Sequence, residues 1–386
     1  MRSRPVTCLF GFADLVCSSV RCSGWKKIWR HGLVFSSLPL LVLMLAFAPA
    51  AHASTTLYVN GAKGSDSNNC KSAQHACKTI GHAIALASSG DTVKVAASTY
   101  KENLAIGISL NILGANARTT IVDGNQSGTV FTISSGVVLL SGLTIQNGKV
   151  DDGFAGGIEN KGTLTISNCT VTGNDGSGGY VGGVFNYAGK LTVLSSTITG
   201  NSATGAYVGG IFNYDEGTTT VTNSTITGNS VSGGYVGGIF TDGATTTVSS
   251  STITGNSASG GYGGGVFGDG GTTTFQNTIL ANSGANCYGT VSSSGYNLSS
   301  DDSCNFTGKG DKSDTEPKLG TLGYYGGPTQ TFPELLKSPT VDKGNPSGCT
   351  DGEGHKLTTD QRGYPRPGKD KHVKRCDMGA YERQTD

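Results

Sequence analysis

Through its middle the chain repeats itself every 26 to 28 residues, and no other feature restricts its possible folds so severely. Thr-Gly-Asn phrases end at Asn174, Asn201, Asn229 and Asn256, and Gly-Gly-Ile/Val phrases place their second glycine at Gly157, Gly183, Gly210, Gly238 and Gly265. Short alternating runs lie between them, among them Gly162-Thr-Leu-Thr-Ile, Gly189-Lys-Leu-Thr-Val and Gly217-Thr-Thr-Thr-Val. Each repeat thus reads as about three period-2 strands divided by glycine or asparagine turns. Such strands cannot bury a face alone. Stacking each on its equivalent one coil away, at about 4.8 Å, solves the problem and predicts an all-β, single-stranded parallel β-helix.

The stacking predicts apolar files: Val171, Ile198, Ile226, Ile253 and Ile279; Ile166, Val193, Val221, Val248 and Phe275; Val184, Ile211, Ile239 and Val266. The four asparagines should fall at a turn, where stacked amides hydrogen-bond along the axis. Upstream, Val93, Val95, Ile106, Leu110, Ile112, Val130, Ile133, Leu139 and Ile145 alternate less regularly as inward candidates. Ile80, Ala83, Ile84 and Ala87 have helical spacing and predict a short helix over the open N-terminal end. Residues 26–53 read as an export signal: Lys26, Lys27 and Arg30, an apolar run from Leu33 to Phe47, then Ala51-His52-Ala53 as a cleavage pattern. The expected organisation is a signal peptide with an over-long start at 1–53, an N-terminal cap at 54–98, coils at 99–285, and last coils with a C-terminal cap at 286–386.

With 28 basic and 27 acidic residues, the chain has no field for holding nucleic acid, and no membrane span is expected in the mature chain. Seven cysteines follow the signal, and their spacing favours local disulfides: Cys70 with Cys77, Cys287 with Cys304, and Cys349 with Cys376. Cys169 is left as a buried thiol. No Cys-x-x-Cys pair supports zinc, and neither a metal nor another cofactor is expected.

The Gly-Gly-Ile-x-Asn and Thr-Ile-x-Gly-Asn repeats resemble those of bacterial right-handed β-helix proteins of the pectin-lyase-like fold, and also polymorphic outer-membrane protein repeats. The tail, with Gly326-Gly-Pro-Thr, Ser338-Pro-Thr-Val-Asp, Asp360-Gln-Arg-Gly and Cys376-Asp-Met-Gly-Ala-Tyr-Glu, is similar to the choice-of-anchor Q region of exported bacterial proteins. Those relatives continue into an anchoring segment after this phrase. The end of this sequence at Asp386 leads to the expectation of release or non-covalent surface association.

Many β-helix proteins cleave polysaccharides, so catalysis is judged on residues. From Thr119 to Gln361 there is no arginine, and no histidine lies between His82 and His355. The strongest acidic candidates are Asp215, Asp242 and Asp269, with Glu216 beside them. Asp242 and Asp269 occupy equivalent positions in adjacent coils, where a carboxylate pair suits glycoside hydrolysis or a calcium site. Asp242-Gly243 and Asp269-Gly270 also read as ordinary tight turns.

Aromatics recur with the period: Tyr180, Tyr207, Tyr235 and Tyr262; Phe185, Phe212, Phe240 and Phe267. Each Phe follows an inward Ile or Val, so alternation points it outward, and an exposed row can stack on sugar faces. Alternatively, the rings stack on each other and brace the coils. Outward threonine files (Thr165, Thr192, Thr220, Thr247, Thr274; beside them Thr163, Lys190, Thr218, Thr245, Thr272) resemble the ice-binding arrays of insect antifreeze proteins. The leading expectation is an exported, extracellular or cell-surface protein. It would present a repetitive, non-catalytic surface to carbohydrate or a cell-surface macromolecule. A polysaccharide lyase or glycoside hydrolase is the alternative, and ice binding a minor one.

Overall fold

The computed structural model describes residues 53–368 and 375–385. The expected export signal, with its cleavage pattern, lies outside the described residues except for Ala53. Within them the chain winds into a parallel β-helix of three long sheets and one short one. A typical coil runs from Thr163–Ser167 in the first sheet, through Thr170–Thr172 in the second, to Val184–Tyr187 in the third. The first sheet has ten strands, from Thr56–Val59 to Ser292–Ser293; the second has nine and the third eight. Rungs therefore extend on both sides of 99–285.

Register places equivalent residues one above another. Ile166, Val193, Val221, Val248 and Phe275 form one inward file, and Val184, Ile211, Ile239 and Val266 another. In the second sheet the file Val171, Ile198, Ile226, Ile253 ends on Leu280. Ile279, expected there, instead follows Thr252 on the outer side. Leu139 is also corrected: it pairs with Thr165 on the outside, while Val138 and Leu140 fill the core.

The corners explain the recurring phrases. Gly173, Gly200, Gly228 and Gly255 each have φ between 62° and 65°, the left-handed conformation that glycine adopts without a Cβ penalty. The asparagine that follows turns inward. Asn174 Nδ2 donates to Asn201 Oδ1 at 2.8 Å, Asn201 to Asn229 at 2.9 Å, and Asn229 to Asn256 at 2.9 Å. Every amide in this buried ladder is satisfied along the axis, as such burial requires. A second ladder, Asn160 to Asn186 to Asn213, crosses the opposite corner at 2.6 and 2.8 Å.

The helix Ile80–Leu86 covers the N-terminal end, with Ile80 and Ala83 buried in the core. Thr79 caps it, and the Glu102 carboxylate accepts from the N–H groups of Ile80 and Gly81. Disulfides join Cys70 to Cys77, Cys287 to Cys304, and Cys349 to Cys376. Cys169 is a buried free thiol, pushed up to about 12 by desolvation. No described helix is long and apolar enough to cross a membrane.

The C-terminal region does more than cap an end. Phe306 joins the core beside Phe275, with ring centroids 5.7 Å apart, and closes the last coil. The chain beyond it doubles back as a strap along the outer face of the second sheet. There Gln361 accepts from the Thr225 hydroxyl at 2.6 Å and donates to the Thr197 hydroxyl at 3.1 Å. The Ala380 N–H donates to the Thr252 hydroxyl at 3.1 Å. The strap buries these threonines because it replaces water at each hydroxyl.

Candidate binding groove

The third sheet carries its outward side chains in two files. One is Phe185, Phe212, Phe240, Phe267 and Tyr288; the other is Tyr187, Tyr214, Asp242 and Asp269. Beside the sheet, the loop entering each strand presents Phe154, Tyr180, Tyr207, Tyr235 or Tyr262, and Val181, Val208 and Val236 beneath these rings bridge from coil to coil. These loops lie close because the Gly-Gly phrase lets backbones meet: a Cβ on Gly183 or Gly210 would stand 2.3 Å from the carbonyl oxygen of the next coil.

The Phe file points out of the coil, as alternation demands, yet it is not exposed. Phe185, Phe212, Phe240 and Phe267 are 1–7% accessible and form a second apolar cluster with Ala155, Val181, Val208 and Val236. This corrects the expectation of exposed Phe rings: the loop valines and tyrosines roof the outer face. Centroids along the file are 5.3, 4.8 and 4.7 Å apart, and the last two pairs are nearly parallel. The Phe file therefore forms a floor.

The tyrosines form the accessible part. Tyr180 and Tyr262 are exposed, and Tyr207 and Tyr235 are half-buried at 5.1 Å from one another. Tyr187 and Tyr214, stacked at 5.9 Å, rise on the opposite side. Between these walls runs a groove of about 460 Å³ that reaches Asp242 and Asp269 at one end and Lys161 at the other. Floor phenylalanines and loop tyrosines recur as separate files in the sequence, and periodicity alone does not show that they enclose one trough with Tyr187 and Tyr214.

The acidic candidates divide. Asp242 and Asp269 stand in register on adjacent rungs and line the groove. Burial, with Asp269 beside it, raises the Asp242 carboxyl above its ordinary range. Asp215 sits on the turn beyond Tyr214, and its nearby carboxylate raises the Tyr187 phenol above its ordinary range. It does not join Asp242 and Asp269 in the groove lining. Asp215 and Glu216 both have positive φ, at 55° and 62°, so a turn accounts for them. Lys161 is held by Glu159 at 2.6 Å and lies over the Phe154 ring.

Among the described residues, two clusters bring three metal-ligating side chains together, and neither touches the groove. In one, the Cys70 and Cys77 sulfurs are joined in the disulfide beside His82. In the other, on an exposed loop, Asp351 Oδ1 already accepts from the N–H groups of Glu353 and His355. The threonine files of the first sheet are in register, but the strap intrudes on them. Gly352 lies against the methyl groups of Thr247 and Thr220, so the array is not a free flat plane.

Residues 82–248 match the family described as right-handed β-helix region, which agrees with the fold expected from the repeats. Solved structures with a similar fold include a pectate lyase at 14% identity and TM-score 0.42, covering 86% of this chain and 98% of that one. A rhamnogalacturonan lyase matches at 12% identity and TM-score 0.33, covering 86% and 85%. The pectin methylesterase of Aspergillus niger matches at 15% identity and TM-score 0.34, covering 61% and 87%. No curated protein sequence matches the chain.

Proposed function

We propose that the chain is an exported β-helix protein that holds glycan chains along this groove without cleaving them, at or outside the cell surface. The observation that supports it most is the tyrosine wall over a phenylalanine floor, repeated once per coil. Saturated sugar rings present C–H faces that lie flat on aromatic rings, while their hydroxyls meet the phenols and carboxylates at the rim. Successive coils offer equivalent platforms, which suits a polymer better than a compact ligand. Among the described residues, the charged groups lining the groove are Lys161, Asp242 and Asp269. The three disulfides are compatible with an oxidising compartment.

A glycan array probed with the chain from Ser54 onward, alongside a Tyr207→Ala/Tyr235→Ala variant, tests the reading. Binding that the variant loses supports it; an array with no bound glycan overturns it. One observation favours glycoside hydrolysis as a second reading: Asp242 and Asp269 face the same groove from adjacent rungs, a spacing of about 4.8 Å in the backbone. Release of new reducing ends, abolished by Asp242→Asn, would favour this reading over simple retention.

A further inference from the structure

The two ends of the groove differ in charge. One outward file reads Tyr187, Tyr214, Asp242, Asp269 along the axis, so the wall facing the tyrosine loops changes from phenol to carboxylate within a single register. At the tyrosine end, the positive charge of Lys161 is neutralised by Glu159 at 2.6 Å. The unbalanced charge of the groove is therefore negative and lies on two successive rungs. Among the described residues, no lysine, arginine or histidine lines the groove at the Asp242 end.

From this asymmetry we infer that the occupant is an amino-sugar polymer with free ammonium groups, its sugar faces on the tyrosines and its cations between Asp242 and Asp269. The inference rests on reading the groove as a glycan site. Phe240 and Phe267 form the floor at that end, stacked at 4.7 Å, and Tyr235 and Tyr262 face the carboxylates across it. A cation there meets two carboxylates and several ring faces, both of which attract it. It also offsets the burial and the repulsion from Asp269 that together oppose ionisation of Asp242. A polyuronate would set its own carboxylates against this pair, and a neutral glycan leaves the pair without a partner. A basic peptide satisfies the carboxylates but brings no flat saturated rings to Tyr187 and Tyr214.

The test is calorimetry on the chain from Ser54 with four probes: a chitosan oligomer, its fully N-acetylated counterpart, an oligogalacturonate and an oligolysine. The chitosan oligomer should bind at least about tenfold more tightly than the acetylated one, the effect of one charge-assisted contact. Asp242→Asn/Asp269→Asn should bring that ratio close to one, with thermal denaturation verifying the fold. Lys190→Ala, on the first sheet outside the groove, should leave it unchanged. Equal affinity for the two chito-oligomers, or tighter binding of oligogalacturonate, overturns this inference and leaves the glycan reading standing. Oligolysine binding more tightly than chitosan overturns it in favour of a peptide. Failure of every saccharide to bind removes the glycan reading itself.

Discussion

Phe212 and Phe240 stack with their ring centroids 4.8 Å apart and their planes 5° from parallel, outside the coil yet shut away from water. They belong to a core that the β-helix builds on its own exterior. Truncating either should cost about 3–5 kcal/mol, as for other buried Phe→Ala changes. The double variant should fall short of the sum because the rings touch. Denaturant midpoints of Phe212→Ala, Phe240→Ala and the pair measure this, and a loss under 1 kcal/mol would contradict the roofed floor.

The tyrosine wall should behave in the opposite way. Tyr207→Ala/Tyr235→Ala removes rings that are half-buried at the rim, so the melting temperature should move far less than for the Phe pair. Glycan binding should fall by tenfold or more, as for an aromatic contact worth about 1.4 kcal/mol. Parallel melting and binding curves separate wall from floor.

Much of this was legible in the repeats. A period of 26 to 28 residues fixed the files, the glycine corners and the first asparagine ladder, because stacking turns sequence spacing into vertical contact. Alternation also placed Phe185 and its equivalents outside the coil. It could not say whether another part of the chain covers them, since burial from outside depends on how far each loop folds back. The second ladder had a visible signal: Asn160, Asn186 and Asn213 each stand two residues beyond the Ile or Val of a Gly-Gly phrase. Ile279 was misplaced because its strand carries two adjacent aliphatic residues, and the 27-residue step runs from Ile253 to Leu280 rather than to Ile279. The strap left no signal, because its contacts join Thr197 to Gln361 across 164 residues without any period.

Asn229 tests the ladder. Its side chain accepts from Asn201 Nδ2 and N, and donates to Asn256 Oδ1 and to the Ile198 carbonyl, all within 3.1 Å. Asn229→Ala strands those buried partners and should cost on the order of 3–5 kcal/mol, at 1–3 kcal/mol for each unsatisfied group. Hydrogen exchange should rise first at the coils on either side.

The strap should loosen as pH rises above the ordinary carboxyl range. Glu334 lies buried with neither carboxyl oxygen hydrogen-bonded; burial, reinforced by Asp377 and Glu382 against the opposing pull of Arg366, holds its pKa well above the usual range. A raised folded pKa means that folding favours the protonated form. The stabilising contribution is therefore complete below the unfolded pKa and is lost as pH rises through the folded one. Glu334→Gln should flatten that loss, so the stability gap between variant and wild type should widen as pH rises through the folded pKa. Urea titrations across the pH range measure it.

Reducing the disulfides should act at the same end. Cys349–Cys376 ties two parts of the strap and Cys287–Cys304 braces the last coil, each contributing about 2–4 kcal/mol by restricting the unfolded chain. Reductant should therefore expose amides beyond residue 300 before those of the central rungs. Uniform loss of protection along the chain would contradict this order.

Each central coil, from Val171 to Phe267, brings its own floor ring, loop tyrosine, turn glycine and ladder asparagine. Deleting or duplicating one whole repeat would shorten or lengthen the trough by a single platform without requiring a new core. The reach of the site along a polymer is thus set by counting, and a change in copy number is a way to retune it that no point substitution can match.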